Sequence, residues 1–174
     1  MSPLDQLNPA PDDQSELTMS LLMTPDMANF SGNVHGGAIL KLLDQVAYAC
    51  ASRYSGSYVV TVSVDKVNFK EHIYVGELVT FLASVNHVGR TSMEIGIRVE
   101  SQNIQKRTIR HTNTCYFTMV AVDEQRKPKQ IPPLNLDTDW KRCRSEAAEH
   151  RKEMRLKEEV QQPSCSIFKP TTQC

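Results

Sequence analysis

A short stretch in the first third of the chain combines the polar side chains and glycines that carbonyl chemistry requires. Asn33 and His35 precede the adjacent glycines Gly36 and Gly37, and Asp44 follows within a mostly apolar segment. Glycine has no Cβ, so a ligand can approach the backbone closely. If a helix begins here, its first N–H groups and the positive end of its dipole favour an oxyanion or a phosphate. The stretch therefore predicts a site that polarises a carbonyl group, and the carboxylate of Asp44 needs a partner or a chemical role.

The helix that positions these groups is predicted to run from the glycine pair to about Tyr54. After Gly37 the sequence contains neither Pro nor Gly until Gly56, and its apolar residues cover nearly the whole circumference of a helix. A helix that is apolar all round is normally buried on every side. We therefore expect this helix to form the centre of the core.

Alternating and β-branched segments surround this helix in the sequence and predict strands. The expected strands cover residues 17–23, 58–69, 77–88, 91–101 and 107–122. Val75-Gly76 and Gly89-Arg90 indicate turns, and strands joined by turns should pair antiparallel. We predict an α+β fold in which one curved antiparallel sheet wraps around the helix. A second subunit is expected to cover the other side of the helix, which predicts a dimer.

The two ends of the chain differ from this central region. Residues 1–15 are predicted to be a flexible lead, residues 16–134 the domain, and residues 135–174 a helical tail. Within the tail, residues 137–139 can cap a mostly charged helix from Trp140 to about Val160. This helix is interpreted either as a solvated helix docked by Trp140 or as a contact with another subunit.

Composition limits the classes of partner. The 174 residues include 20 basic and 20 acidic ones, so no overall basic field exists to attract nucleic acid. No apolar run approaches the length of a membrane span, and the N-terminus lacks a secretory signal pattern. The five cysteines show no short-spaced pairs, so neither a disulfide framework nor a zinc site is expected. A cytoplasmic, reduced protein with no metal, nucleic-acid or membrane partner is the resulting expectation.

Several motifs stand in the order found in the hotdog-fold acyl-CoA thioesterases. They are Gly32 to Gly37, the helix with Asp44, Val60 to Asp65, Asn68-Phe69, Val75 to Glu77, Val88 to Ser92, Phe117 to Asp123 and Ile131 to Leu134. Over roughly residues 16–134 the chain resembles the cytosolic acyl-CoA hydrolase branch, which includes bacterial single-domain enzymes. The resemblance implies a hotdog fold and hydrolysis of an acyl-CoA to a free acid and coenzyme A, with no cofactor required. It also implies a dimer with active sites at the subunit interface, usually assembled into a hexameric trimer of dimers.

The resemblance also implies roles for single residues. Asn33 occupies the position of a catalytic Asn or Asp in the cytosolic branch. In a neighbouring branch that also reads His-Gly-Gly, the catalytic carboxylate lies where Asp44 stands, so both residues remain candidates. Ser63 matches a strand serine that assists in that neighbouring branch. Arg90, Thr91 and Ser92 resemble the family's segment near the coenzyme A phosphates. A ligand with several phosphates needs cations and hydrogen-bond donors there.

Either arrangement is consistent with attack of water on a thioester carbonyl. The N–H of Gly36 or Gly37 would hold the developing oxyanion, and one such donor is typically worth about 3 kcal/mol. Asp44 would act as general base on the water or attack directly. Asn33 cannot be a base at neutral pH, so it would orient water or the thioester by hydrogen bonds. With two subunits at one site, Asn33 of one chain would face Asp44 of the other.

Each candidate also has a purely structural interpretation. Asp44 would pair with a Lys or Arg across the interface, and Asn33 would be a turn or cap residue. His35 would pack or make a backbone hydrogen bond, the glycines would allow tight helix entry, and Arg90 would be an exposed residue of a hairpin turn. Two other functions remain possible, a hotdog hydratase or dehydratase and a non-catalytic acyl-CoA-binding protein. The thioesterase-like spacing disfavours the first, and the polar pair Asn33 and Asp44 disfavours the second.

Overall fold

Five antiparallel strands form one sheet, and a long helix packs against one of its faces. The computed structural model describes residues 14–161. The elements in chain order are β1 (Glu16–Leu22), a short 3₁₀ helix (Pro25–Met27), α1 (Gly36–Ser55), β2 (Tyr58–Val64), β3 (Leu78–Val88), β4 (Ser92–Asn103), β5 (Thr108–Val122) and α2 (Asp139–Gln161). The strands lie in the order β1-β3-β4-β5-β2, and every neighbouring pair is antiparallel. The predicted α+β class and the C-terminal helix are confirmed. Most of the predicted lead and the end of the predicted tail lie outside the described residues.

Local signals set both ends of α1. His35 has an extended backbone, and its Nδ1 accepts a hydrogen bond from the Gly37 N–H at 2.9 Å, which caps the first turn. Gly56 ends the helix with a φ of 59°, a left-handed conformation that glycine adopts at little cost. The face of α1 that packs on the sheet contains Ile39, Leu43, Val46, Ala47, Cys50, Ala51 and Tyr54, all buried.

The opposite face of α1 is not covered by the chain itself. Leu40, Asp44 and Tyr48 are exposed on this face. In the single chain the sheet therefore covers only one side of α1, as expected. The expected second subunit is the element that would cover this face.

The second strand is shorter than predicted and forms one edge of the sheet. β2 ends at Val64 instead of residue 69, and the apolar residues change from even to odd positions directly after it, between Val64 and Val67. After the Asp65 N–H donates to the Tyr116 carbonyl, the chain leaves the sheet, and Val67 packs against the core without strand pairing. Tyr58 and Val62 expose 59% and 62% of their surface, so the β2 edge is largely apolar and open.

The helix α2 covers the face of the sheet opposite α1. The prediction that Trp140 anchors α2 to the domain is wrong, because Trp140 is 66% exposed. Ser145 and Ala148 are buried instead. The main polar contacts join three arginines of α2 to acidic residues of the domain: Arg144 to Glu16, Arg151 to Glu94 and Arg155 to Asp65. The charged helix is therefore docked through ion pairs, not through an aromatic residue.

Candidate active site

Asp44 lies on the uncovered face of α1, directly beside β2. Its Oδ1 accepts a hydrogen bond from the Thr61 hydroxyl at 2.7 Å, and both side chains are exposed. No residue in the described part of the chain bonds the other carboxylate oxygen. The hydroxyl therefore fixes the orientation of the carboxylate and leaves one oxygen available to a water molecule or a substrate.

Thr61 is a candidate site residue that the sequence analysis missed. Its signal lies in the alternation of β2, where Val59 is buried against the core and Thr61 follows two positions later on the same face. The pairing of Thr61 with Met119, a core residue, agrees with this placement. A polar residue at an inward position of a strand next to a helix-borne carboxylate is the pattern that identifies it.

The loop before α1 is organised by Asn29, a second residue that the sequence analysis did not name. Its Oδ1 accepts hydrogen bonds from the Ser31 N–H at 2.9 Å and from the Asn33 N–H at 3.1 Å. The turn role that was considered for Asn33 is thus performed by the side chain of Asn29. The half-buried side chain of Asn33 makes no hydrogen bond to the residues described here, so its amide is available for a ligand.

The helix start offers one free backbone donor instead of two. The Gly37 N–H donates to His35 Nδ1. Of the two glycines, Gly36 is therefore the one whose N–H has no acceptor within residues 14–161. The backbone hydrogen bond considered as the structural interpretation of His35 is present. His35 Nδ1 must be unprotonated to accept this bond. At Gly36, an added Cβ would lie 3.7 Å from the Phe69 ring, an ordinary contact distance.

Ser63 does not lie beside Asp44 in the single chain. The pairing of β2 with β5 shifts between Thr61 and Ser63, so the alternation is interrupted and Ser63 lies opposite Thr118. A one-residue shift moves a side chain to the other face of a sheet. Ser63 lines a cavity of about 230 Å³ beneath α2, together with Glu94 and Arg155.

The predicted phosphate-binding segment also lies away from the helix start. Arg90 is exposed in the turn between β3 and β4, where its carbonyl accepts a hydrogen bond from the Ile131 N–H. Thr91 precedes β4, which begins at Ser92. The loop before α1 instead contacts Ile73 and Tyr74. The Tyr74 N–H bonds Glu77, which accepts from Ser101 near the other end of β4. One chain therefore does not bring Arg90 together with Gly36.

Several other chemical groups can be placed within the described residues. Cys50 and Cys115 are buried, and burial raises the pKa of each thiol to about 12, which disfavours a nucleophilic thiolate. No group of three or more His, Cys, Asp or Glu side chains is arranged to hold a metal between residues 14 and 161. In the same part of the chain, neither helix is long and apolar enough to span a membrane.

Known sequences similar to this chain include several acyl-CoA thioester hydrolases. The family described as the thioesterase superfamily matches residues 31–108. The chain is 52% identical over 145 residues to protein VdlD of Helicobacter pylori, covering 83% of each chain. It is 36% identical over 126 residues to an uncharacterised acyl-CoA thioester hydrolase of Zymomonas mobilis, covering 69% of this chain and 80% of that protein. The cytosolic acyl coenzyme A thioester hydrolase of Mus musculus is 34% identical over 151 residues, which are 83% of this chain and 39% of that protein.

Solved structures show the same fold. An apo-hexameric acyl-CoA thioesterase superposes with a TM-score of 0.85 at 35% identity, covering 90% of this chain and all of the other. An acyl-CoA hydrolase from Staphylococcus aureus, solved with butyryl coenzyme A, coenzyme A and coenzyme A disulfide, has a TM-score of 0.78 at 26% identity, covering 85% of this chain and 90% of that one. The predicted hotdog fold is confirmed. With an antiparallel sheet around α1, a glycine pair at the helix start and these relatives, the chain belongs to the thioesterase superfamily, among the hotdog-fold acyl-CoA thioesterases.

Proposed function

We propose that this chain hydrolyses fatty acyl-CoA to free fatty acid and coenzyme A at a site completed by a second copy of the chain. The observation that carries the proposal is the Asp44–Thr61 pair, an oriented carboxylate on the uncovered face of α1. An exposed carboxylate without a cationic partner has no evident structural role on a largely apolar surface. The free Gly36 N–H at the beginning of the same helix supplies a donor for an oxyanion.

The hydrolase from Staphylococcus aureus supports the choice of residues. Alanine variants of that protein at an asparagine, an aspartate and a threonine have been solved. In this chain Asn29, Asp44 and Thr61 stand at the same relative spacing along the sequence. Asn29 thus joins Asn33 as a candidate for the amide that orients the water or the thioester.

The proposed reaction follows from these positions. Asp44 takes a proton from a water molecule as the water oxygen bonds to the thioester carbon. The alternative is direct attack by Asp44, which would form an acyl-enzyme that water then cleaves. In either route the Gly36 N–H stabilises the oxyanion, the C–S bond breaks, and the coenzyme A thiolate leaves and takes up a proton. No metal or cofactor participates in these steps.

A second copy completes the site in this proposal. The exposed face of α1 and the open edge of β2 are adjacent, and both carry large apolar side chains such as Tyr48 and Val62. An open apolar edge strand favours pairing with another chain. The proposal places the coenzyme A phosphates at Arg90, Thr91 and Ser92 of the second copy. A trimer of dimers is the proposed assembly, since one similar structure is hexameric.

Product analysis with a panel of substrates tests the proposal. Coenzyme A release from acetyl-CoA to palmitoyl-CoA would be measured by chromatography for wild type, Asp44→Asn, Thr61→Val and Asp139→Asn. Asp44→Asn retains an acceptor for Thr61 but removes the base, so kcat should fall about 10²- to 10⁴-fold. Thr61→Val removes one hydrogen bond to a charged group, so about a tenfold loss is expected. The control Asp139→Asn changes an exposed carboxylate on α2 and should leave kcat unchanged.

Each alternative predicts a different product. Binding of acyl-CoA without any release of coenzyme A would establish a non-catalytic binding protein. Hydration of an enoyl-CoA with the thioester intact would establish a hydratase. Asn29→Ala and Asn33→Ala, run beside the other variants, would show which amide contributes to turnover.

A further inference from the structure

The Val75-Gly76-Glu77 motif contains a buried carboxylate that the proposed mechanism does not use. Glu77 is 3% exposed. Its Oε2 accepts a hydrogen bond from the Ser101 hydroxyl at 2.5 Å, and both of its oxygens lie within 2.8 Å of Arg110 Nη2. Burial raises the pKa of Glu77, but the hydrogen bonds from Ser101 and the Tyr74 N–H and the charge of Arg110 outweigh it, so the pKa is lowered. Glu77 is therefore an ionised group with directed partners.

These partners connect Glu77 to the loop before α1. The Tyr74 N–H donates to Glu77 Oε2 at 3.1 Å. Tyr74 in turn forms an isolated antiparallel bridge with Asn33, and the Val34 N–H donates to the Ile73 carbonyl at 2.9 Å. Residues 73–74 thus pair with residues 33–34 and fix their backbone. Residues 33–34 lie directly before the N-cap of α1.

Arg110 strengthens the same connection from its other side. It donates to the His72 carbonyl at 3.1 Å, and its guanidinium lies 5.4 Å from the centre of the Tyr74 ring. Arg110 thereby contacts the segment 72–74 at the His72 carbonyl and the Tyr74 ring. Glu77 binds the same segment at the Tyr74 N–H. Together the two charged side chains fix the backbone that faces Asn33.

We propose that Glu77 is a positioning residue for thioester hydrolysis, acting through the Tyr74 backbone to fix Asn33 and the Gly36 N–H at the start of α1. The inference rests on the proposed function of this site. A buried ion pair is weak evidence for stability, since well-packed apolar residues often replace such a pair at no loss. An apolar pair would offer no directed acceptor for the Tyr74 N–H, and a displacement of about 1 Å in a reacting group can reduce a rate a hundredfold.

Substitutions at Glu77 test this connection by kinetics and by hydrogen exchange. Glu77→Ala removes the acceptor of the Tyr74 N–H, so kcat should fall about tenfold or more while KM changes by no more than about threefold. Glu77→Gln retains an oxygen acceptor and should restore most of kcat. Backbone amides of residues 33–37 should exchange faster with deuterium in Glu77→Ala than in wild type. The control Glu100→Gln removes the carboxylate of the Arg98–Glu100 pair on β4, which does not contact this loop, and should change neither readout.

The outcomes separate this inference from the proposed function. If wild type releases coenzyme A and folded Glu77→Ala does so with unchanged kcat, the positioning role is refuted and the hydrolase function stands. Equal losses of kcat in Glu77→Ala and Glu77→Gln with unchanged exchange of residues 33–37 also refute it. If wild type hydrolyses no acyl-CoA, the proposed function fails, and the exchange data still test the contact between Glu77 and the loop. If Glu77→Ala does not fold, Ser101→Ala is used in its place. Ser101→Ala removes one hydrogen-bond donor to Glu77 but retains the Glu77 carboxylate.

Discussion

Removal of the Arg151 guanidinium should loosen the attachment of α2, because this group neutralises a carboxylate that is almost fully buried. Glu94 is 3% exposed on the face of the sheet beneath α2. Arg151 donates to it twice, from Nη2 at 2.6 Å and from Nε at 3.2 Å. The guanidinium carbon of Arg151 also lies 3.7 Å from the centre of the Tyr116 ring.

The size of the effect follows from what remains around Glu94. Breaking one side of a buried ion pair costs about 3–5 kcal/mol. Glu94 keeps the Asn86 amide at 3.2 Å and Arg155 at 3.4 Å, so the lower end of this range applies. The lost contact with the Tyr116 ring adds about 1 kcal/mol. Arg151→Met should therefore reduce the free energy of unfolding by about 4 kcal/mol, which lowers Tm by roughly 10 °C in a chain of this size.

Urea and thermal unfolding at a fixed protein concentration measure this loss, since stability of an oligomer depends on concentration. The matched control is Arg98→Met, which removes an exposed ion pair with Glu100 and should cost no more than about 1 kcal/mol. The double variant Glu94→Gln with Arg151→Met removes both charges and should recover part of the loss. If Arg151→Met is no less stable than Arg98→Met, the buried pair does not hold α2, and the reasoning fails.

Two smaller effects can be measured on the same protein. His35→Ala should destabilise the fold by about 1 kcal/mol because the Gly37 N–H loses its acceptor, whereas His35→Asn should retain most of the stability, since Asn is a strong N-cap. Equal Tm losses in the two variants would contradict the capping role of His35. Native labelling with a thiol reagent near pH 8, at about the ordinary thiol pKa, should modify Cys143 and spare Cys50 and Cys115, because burial raises the pKa of the two buried thiols to about 12. Peptide mass mapping locates the label, and modified Cys50 in folded protein would contradict the closed core.

Local signals in the sequence were sufficient for most of the fold. Gly36 and Gly56 mark the two ends of α1, and alternation of apolar residues locates the strands within a few positions. The end of β2 was predicted too late. The apolar positions change phase between Val64 and Val67, but the β-branched and aromatic composition continues to Phe69 and concealed this signal. Strand ends also depend on pairing with distant residues, and the last residue of β2 that pairs with β5 is Val64, opposite Phe117.

The site was predictable only where its residues are close in sequence. Asp44 and the helix start lie in one stretch, and the pattern of glycines and polar residues identified them. Alternation places Thr61 on the inward face of β2, but its contact with Asp44 arises only through the fold. The same limit applies to Ser63, since the register shift that turns it to the other face of the sheet cannot be read from alternation.

The charge pattern of α2 was correctly identified, but its environment was not. A helix with many charges is normally solvated, and Trp140 was the apparent anchor. The sheet face beneath α2 instead presents Glu94, and Asp65 lies close by, where two arginines of the helix meet them. Complementary charges on two segments far apart in sequence become visible only when the fold brings them together.

The chemistry of the two sheet faces determines where a second copy can bind. The face opposite α1 is occupied by α2 and its arginines, whereas the α1 face and the β2 edge expose large apolar side chains such as Tyr48 and Val62. Asp44 lies on this surface, so association there would cover the carboxylate and exclude bulk water from it. Interactions of a charged group are stronger in a site that excludes water. In the proposed enzyme, assembly of the dimer and completion of the active site are therefore the same event. A single chain, which lacks the Arg90 segment of the second copy, should neither bind acyl-CoA tightly nor hydrolyse it efficiently.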